Sequence, residues 1–310
     1  METKALVSPI KSVVQTVNDL DAVRGFYENA LGLICVGEAH ATAGDIGEIW
    51  GVEKADYRVA RMSREGEEFG SIDLVENKAA NERIREPQRP ADLGIMTLNF
   101  RTNDIDAAVE RLTSYGAEPI SGILEYNVGK PMRELMVVMP SGERLTIIEV
   151  GGKNADMPVF NEAIATAGMV VPQMAAAKTF YSDCFGLTTS IEFQAAGSPF
   201  DSLLGVEQLD ALDFATLTSD GIWTGKVELL ELTVAKNIAI NTSEFADLNH
   251  TGYTFLIFLT PDIDVVAERV ENTGAAIVVG PQVTGRPFHS GKRAMIVRSP
   301  GSEYIEIIEN

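Results

Sequence analysis

Residues 98–120 read LNFRTNDIDAAVERLTSYGAEPI, and residues 256–278 read LIFLTPDIDVVAERVENTGAAIV. Thr102, Asp104, Ile105, Asp106, Glu110, Arg111 and Gly116 recur in step as Thr260, Asp262, Ile263, Asp264, Glu268, Arg269 and Gly274. Each copy has the pattern of a strand, a helix with an aspartate at its N-cap, a glycine stop and a second strand. A matching hairpin follows each copy. RELMVVMPSGERLTIIE (133–149) corresponds to RAMIVRSPGSEYIEIIE (293–309), so that Arg133, Pro140 and Glu149 align with Arg293, Pro300 and Glu309.

A second phrase is also written twice, FYENALGL at 26–33 and FYSDCFGL at 180–187. In DLDAVRGFYENALGL, Leu20, Val23, Phe26, Tyr27 and Leu31 fall on one helical stripe, with Asp19 as N-cap and Gly32 as stop. The strand-like run KSVVQTVN precedes it. AGMVVPQMAAAKTFYSDCFGL (167–187) repeats the order, ending at Gly186. Such self-similarity marks repeated structural units. Four modules result, at 8–77, 93–150, 161–235 and 252–310, each a strand, a helix and about three strands. Polar linkers fill 78–93, 151–160 and 236–249. A lone module exposes one sheet face and one helix face, so modules must pair. The expected fold is α+β, four βαβββ modules paired into two halves, 1–150 and 151–310. A duplicated chain of this kind is the covalent counterpart of a dimer.

Composition narrows the function. The 310 residues are 45% hydrophobic and 23% charged, as in ordinary soluble domains. No apolar run approaches the ~18 residues of a membrane helix, and METKALVSPIKS lacks the apolar core of a signal peptide. The expectation is a cytoplasmic protein without a membrane partner, a monomer or homodimer. With 45 acidic against 25 basic residues the net charge is −20, a field that repels nucleic acid. It also opposes an anionic substrate unless a local Arg or Lys reverses the sign. Cys35 and Cys184 make no disulfide framework and read as buried thiols.

The strand–DLD–helix–FY–LGL phrase, the strands ending in a Pro/Gly turn and the final acidic strand together resemble the vicinal oxygen chelate superfamily. This is the glyoxalase, bleomycin-resistance and extradiol-dioxygenase group, and the resemblance covers nearly the whole chain. It implies paired modules whose curled sheets enclose a cavity, commonly holding a divalent metal on the first and last strands. The implied first-strand ligand positions, seven residues before the helix-capping residue, hold Ser12, Thr97, Thr166 and Phe255. The last-strand positions hold Asp73, Thr146, Glu228 and Glu306. An extradiol iron site needs two histidines and a carboxylate, so that reaction is rejected. A glyoxalase-type site is reduced to Glu228 and Glu306, which leaves a divalent metal allowed but not required.

Glu228 and Glu306 alternate with Val227, Leu229, Ile305 and Ile307. If those apolar neighbours pack on the helices, both glutamates face the cavity. Two carboxylates in one dry cavity push their pKa values apart and suit acid–base work. The candidate catalytic residues are therefore Glu228, Glu306 and His289. Arg293, Trp223, His250, Phe255 and Thr166 are the candidate substrate contacts, and Arg293 or Lys292 would stabilise an enolate. Arg133 and Arg293 fit a structural ion pair equally well, and Trp50 and Trp223 fit core packing. The leading function is a glyoxalase-like isomerase, epimerase or lyase that moves a proton on a small carbonyl compound. The alternative is a non-catalytic protein that sequesters a small molecule. Substrate choice is expected in loops 36–58, 120–132, 188–214 and 278–292, with 193–214 as a partly helical lid.

Overall fold

A first strand buried in the middle of a sheet needs a hydrogen-bonded neighbour on each edge. Within a module, only one edge is covered: Ser12–Val17 runs parallel to Ser71–Glu76, its own module's last strand. Another module covers the other edge. In the computed structural model, which describes residues 4–50, 56–154, 156–234, 239–301 and 303–310, that partner is the fourth module. Ser12–Val17 pairs antiparallel with His250–Thr260, Ser12 opposite Ile257. Likewise Thr166–Val170 of module three pairs antiparallel with Gly94–Thr102 of module two, Thr166 opposite Asn99.

Two nine-stranded mixed sheets result. One joins modules one and four, the other modules two and three. The sheets thus cross the division at residue 150, correcting the expectation that modules pair within 1–150 and within 151–310. Within each sequence half the two modules meet instead through helices. Leu20–Phe26, continued by a π-helical turn Tyr27–Leu31, lies beside Ile105–Ser114, and Met174–Phe185 beside Ile263–Thr273. The two repeated phrases touch here. Arg111 donates through Nε and Nη2 to the Asn29 carbonyl at 2.9 and 2.7 Å, and Arg269 donates to the Asp183 carbonyl at 3.2 Å. Asn29 and Asp183 hold the same place in FYENALGL and FYSDCFGL. Tyr27 and Tyr181 are buried beneath these helices and donate to Gln15 and Glu303 at 2.8 and 2.6 Å.

The acid closing each module's last strand has one recurring task. Glu76, Glu149, Glu231 and Glu309 accept from the first helical N–H groups of Leu20, Ile105, Met174 and Ile263 at 3.2, 2.9, 2.6 and 3.3 Å. These N–H groups have no partner inside the helix, and the helix dipole favours negative charge there. Three modules add an arginine. Arg58 binds Asp21, Arg133 binds Asp106 and Arg293 binds Asp264, each through two nitrogens. The same arginines lie 3.6 Å from Glu76, Glu149 and Glu309. Arg293 is therefore a helix-anchoring residue, not a substrate contact, and Arg133 matches it.

Between helices and sheets runs one shared core, in which Val227, Leu229, Ile305 and Ile307 pack with Phe180, Phe258 and Ile105. Period-2 alternation then turns Glu228 and Glu306 to the opposite, concave faces. Cys184 is buried in this core and Cys35 is half-buried. Residues 51–55 of the 36–58 loop, and 235–238 at the end of module three and start of its linker, lie outside the described residues. Among the described residues no helix is long and apolar enough to cross a membrane. Glu149→Ala removes the Ile105 acceptor and an arginine partner at a buried position. Chemical denaturation is expected to show a loss of about 1–3 kcal/mol, against less than about 0.5 kcal/mol for the exposed Glu125→Ala.

Candidate active site between modules two and three

The two concave faces have opposite contents. In the module one–four face, Asp73 and Glu306 are fully buried, and the Arg286 guanidinium lies between them. Its Nη2 is 2.7 Å from Asp73 Oδ2 and its Nε is 3.1 Å from Glu306 Oε2. Arg61 donates to Asp73 at 2.6 and 2.8 Å, Ser12 donates to Asp73 at 3.0 Å, and Trp50 Nε1 donates to Glu306 at 3.1 Å. The Trp50 ring stacks on Phe255 at 5.7 Å and lies 5.1 Å from the Arg286 guanidinium. The helix Ala43–Trp50 presents this tryptophan.

Each acid in this face has a guanidinium at ion-pair distance, while Arg286 Nη1 and Glu306 Oε1 keep no hydrogen-bond partner. Burial alone would raise the Asp73 carboxyl, but Arg61 and Arg286 hold it well below the usual range. Burial raises Glu306, offset only in part by Arg286 and the Trp50 N–H. His289 packs against Arg61, Nε2 to Nη2 at 3.2 Å. Burial, then Arg286 and Arg61, push it down to about 3. A guanidinium can only donate, so in this contact the imidazole nitrogen stands as the acceptor.

The module two–three face opens into a cavity of about 650 Å³. Glu228 and Lys226 reach it from the strand Lys226–Val234, Glu134 from Pro131–Val138, and Thr166 from the first strand of module three. Asn99 Nδ2 donates to Glu228 Oε2 at 2.8 Å. Tyr126 Oη donates to Glu134 Oε2 at 2.6 Å. Gly168 lies alongside Glu228, where a Cβ would stand 2.9 Å from Glu228 Oε1 and 2.8 Å from Thr97 Cγ2. The glycine leaves the carboxylate its room. The segment 193–214 forms the short helix Phe200–Leu204 over the cavity, with Phe200 5.5 Å from Tyr126 and 5.9 Å from Phe193, ring to ring. Phe193 stacks on Phe214 at 4.6 Å. At the mouth Trp223 is 57% exposed, with Lys226 Nζ and the Arg101 guanidinium 4.6 and 5.5 Å from its ring.

Burial dominates the electrostatics here as well. It pushes Glu228 up to about 7 against the pull of Asn99 and Lys226. It pushes Glu134 to about 7, with the Tyr126 hydrogen bond opposing and the Glu228 charge adding. Burial, helped by Arg101, lowers Lys226 to about 8 while Glu228 pulls it up.

Neither face offers a donor set that suits a divalent metal. In the first, both acids already hold a guanidinium, Ser12 is spent on Asp73 and Phe255 has no donor atom. In the second, the four ligand-equivalent positions hold Thr97, Thr146, Thr166 and Glu228, and Thr97 and Thr146 bind each other at 2.9 Å. Among the described residues no group of three or more His, Cys, Asp or Glu is placed to hold a metal. The assignment of a metal to Glu228 and Glu306 is corrected accordingly.

Glu228 and Glu306 belong to different sheets and so cannot act as one acid–base pair. Thr166 and Trp223 join Glu228 in the open cavity, whereas Phe255 and His289 join Glu306 in the filled face. His250 stands in neither. Asp247 holds its Nδ1 at 2.8 Å, Glu82 lies 3.7 Å from Nε2, and Phe245 packs on the ring. Lys292 adds no ligand to the open cavity. The residues that sequence reasoning misses are Glu134, Tyr126, Asn99, Lys226 and Arg286. Alternation is enough to find two of them, since Lys226 shares the face of Glu228 and Glu134 lies opposite the helix-side Arg133. Tyr126 and Arg286 each stand seven residues before a duplicated arginine, so one position carries a phenol in the open cavity and a guanidinium in the filled face.

Two outcomes follow from the charges. A carboxylate raised by folding contributes stability below its unfolded pKa near 4.5 that is lost as pH rises through about 7. Thermal melts should therefore show wild type losing up to roughly 3 kcal/mol per group between pH 5 and 8, relative to Glu134→Gln/Glu228→Gln. Arg286→Met strands two buried acids and should cost about 3–5 kcal/mol by denaturant titration. Adding Asp73→Asn and Glu306→Gln should recover part of that loss.

The comparisons agree with this architecture. The family model for the Glyoxalase/Bleomycin resistance protein/Dioxygenase superfamily matches residues 10–129 and 163–306. A glyoxalase I mutant from Zea mays superposes with a TM-score of 0.68 at 15% identity, covering 97% of this chain and 92% of that one. A putative dioxygenase from Bacillus subtilis subsp. subtilis str. 168 superposes with a TM-score of 0.63 at 14% identity, covering 99% and 86%. At such identity the likeness shows the fold alone. No curated protein matches the sequence. With both sequence halves matched by the family model and the paired curled sheets in place, the chain belongs to the glyoxalase/bleomycin resistance protein/dioxygenase superfamily.

Proposed function

We propose that the protein is an enzyme that transfers a proton on a small carbonyl compound in the cavity between modules two and three, using carboxylates in place of a metal. One observation carries the reading: Glu228 and Glu134 share a largely apolar cavity, each buried and held near neutrality at about 7. Because the Glu228 charge raises Glu134, loading the pair with one proton is favoured over ionising both. One member is then a base and the other an acid at neutral pH, the condition for moving a proton off and onto carbon.

Glu228 takes the proton from the carbon next to a carbonyl, and the C–H electron pair moves into the enolate. Asn99 orients the carboxylate, and Gly168 leaves it free to approach. The developing oxyanion accepts from the protonated Glu134 or the Tyr126 hydroxyl, which share a hydrogen bond of 2.6 Å. Delivery of a proton to the opposite face of the same carbon epimerises the substrate, and delivery to a neighbouring carbon isomerises it. Loss of a group from the adjacent carbon makes the enzyme a lyase. Phe193, Phe200 and Phe214 give an apolar body its place and exclude water.

The test is hydrogen exchange. A panel of small enolisable ketones and keto acids in D2O, followed by NMR, should show protein-dependent deuteration of at least one compound. Glu228→Gln, shown folded by circular dichroism, should reduce that rate by about a hundredfold or more. Below pH 7 the wild-type rate should fall as Glu228 takes up its proton. Tight binding without any exchange, favoured by the aromatic lining, would replace the enzyme with a sequestering protein. Undiminished exchange in Glu228→Gln would remove Glu228 as the base.

A further inference from the structure

We propose that Lys226 is the anion-recognition residue of the open cavity, and that the ligands admitted there are small carboxylates with an apolar body. The proposal rests on taking this cavity as the active site, and adds to it the charge of the substrate.

The chain as a whole, at −20, repels anions, so an anionic ligand needs a local reversal of sign. Three cations line the cavity: Arg101, Lys130 and Lys226. The Arg101 charge is already met, its Nη1 lying 3.2 Å from Glu162 Oε2. Lys130 is exposed at the rim. Lys226 alone of the three is both buried, at 5% exposure, and without a carboxylate at ion-pair distance among the described residues. Its ammonium faces the Trp223 ring at 4.6 Å, a weak substitute for a counter-ion. A desolvated ammonium lacking an anion is costly to hold, and a ligand carboxylate that reaches it recovers that cost as a charge-assisted hydrogen bond.

Position ties this subsite to the chemistry. Lys226 and Glu228 lie on the same strand face two residues apart, hence ~7 Å. A carboxylate held by Lys226 places carbons one or two bonds from it within reach of Glu228. The rest of the molecule then extends over Phe193, Phe200 and Phe214. Trp223 stands at the mouth, its ring beside the Lys226 ammonium at the anionic end.

The test uses two probes of nearly equal shape, 3-phenylpropanoate and 3-phenylpropanamide, titrated calorimetrically into the full chain. Wild type should prefer the carboxylate by about tenfold or more. Lys226→Met should lose the preference while holding its amide affinity within about twofold, and Lys226→Arg should keep the preference. Equal wild-type affinity for both probes overturns the proposal, as does a preference that survives Lys226→Met. If Lys226→Met does not fold, the wild-type and Lys226→Arg titrations still decide it. Deuterium exchange is scored separately. A carboxylate preference without exchange keeps this subsite and sinks the proton-transfer reading, and exchange on neutral ketones without a preference does the reverse.

Discussion

Everything in this molecule depends on the free edge of each module's first strand. A βαβββ unit covers that strand on one side only, and a buried row of unpaired backbone groups is not tolerated. Each first strand therefore pairs antiparallel with the first strand of another module: Ser12–Val17 with His250–Thr260, and Thr166–Val170 with Gly94–Thr102. Once the edges are joined in this way, the helices of sequence-adjacent modules fall side by side, and one core serves both sheets. The FY phrases then have their purpose. They end the helices whose carbonyls receive Arg111 and Arg269, so the repeated phrases are joints between modules.

Duplication produced two equivalent concave faces, and physics has driven them apart. In one, the arginine of the 284–292 turn reaches the centre and is bound by Asp73 and Glu306, with Trp50 over it. A buried guanidinium between two acids has its charge met inside the face. In the other, Tyr126 stands in the corresponding place, Thr146 replaces an acid, and Glu228, Glu134 and Lys226 are left around an apolar space. Their charges are under-compensated, and under-compensated buried charge is what a substrate can exploit.

The internal repeat makes most of the fold legible in the amino-acid order itself. Recurring Asp–Ile–Asp and FY–Gly–Leu phrases place helices, stops and hairpins, and alternation correctly sets Val227, Leu229, Ile305 and Ile307 against the helices. Strand alternation says which face a residue takes, but not which edge meets which. Backbone hydrogen bonds that join modules carry no side-chain signature. That is why Glu228 and Glu306 read as one pair and belong to two sheets. Arg286 is illegible for another reason, since it lies in an aperiodic turn whose path only the folded chain defines. Lys226 is legible by the alternation that exposes Glu228, and its meaning emerges only once its missing counter-ion is visible.

The two tryptophans distinguish ligand entry into the module two–three cavity from entry into the other face. Trp223 is 57% exposed at the open mouth, and Trp50 is 4% exposed beside Arg286. Acrylamide quenching of tryptophan emission, recorded on Trp50→Phe and Trp223→Phe with and without saturating 3-phenylpropanoate, reports on each site alone. Ligand should shield the Trp223 emission and leave the already protected Trp50 emission unchanged. Ligand-induced change at Trp50, with Trp223 quenched as freely as before, would contradict the account.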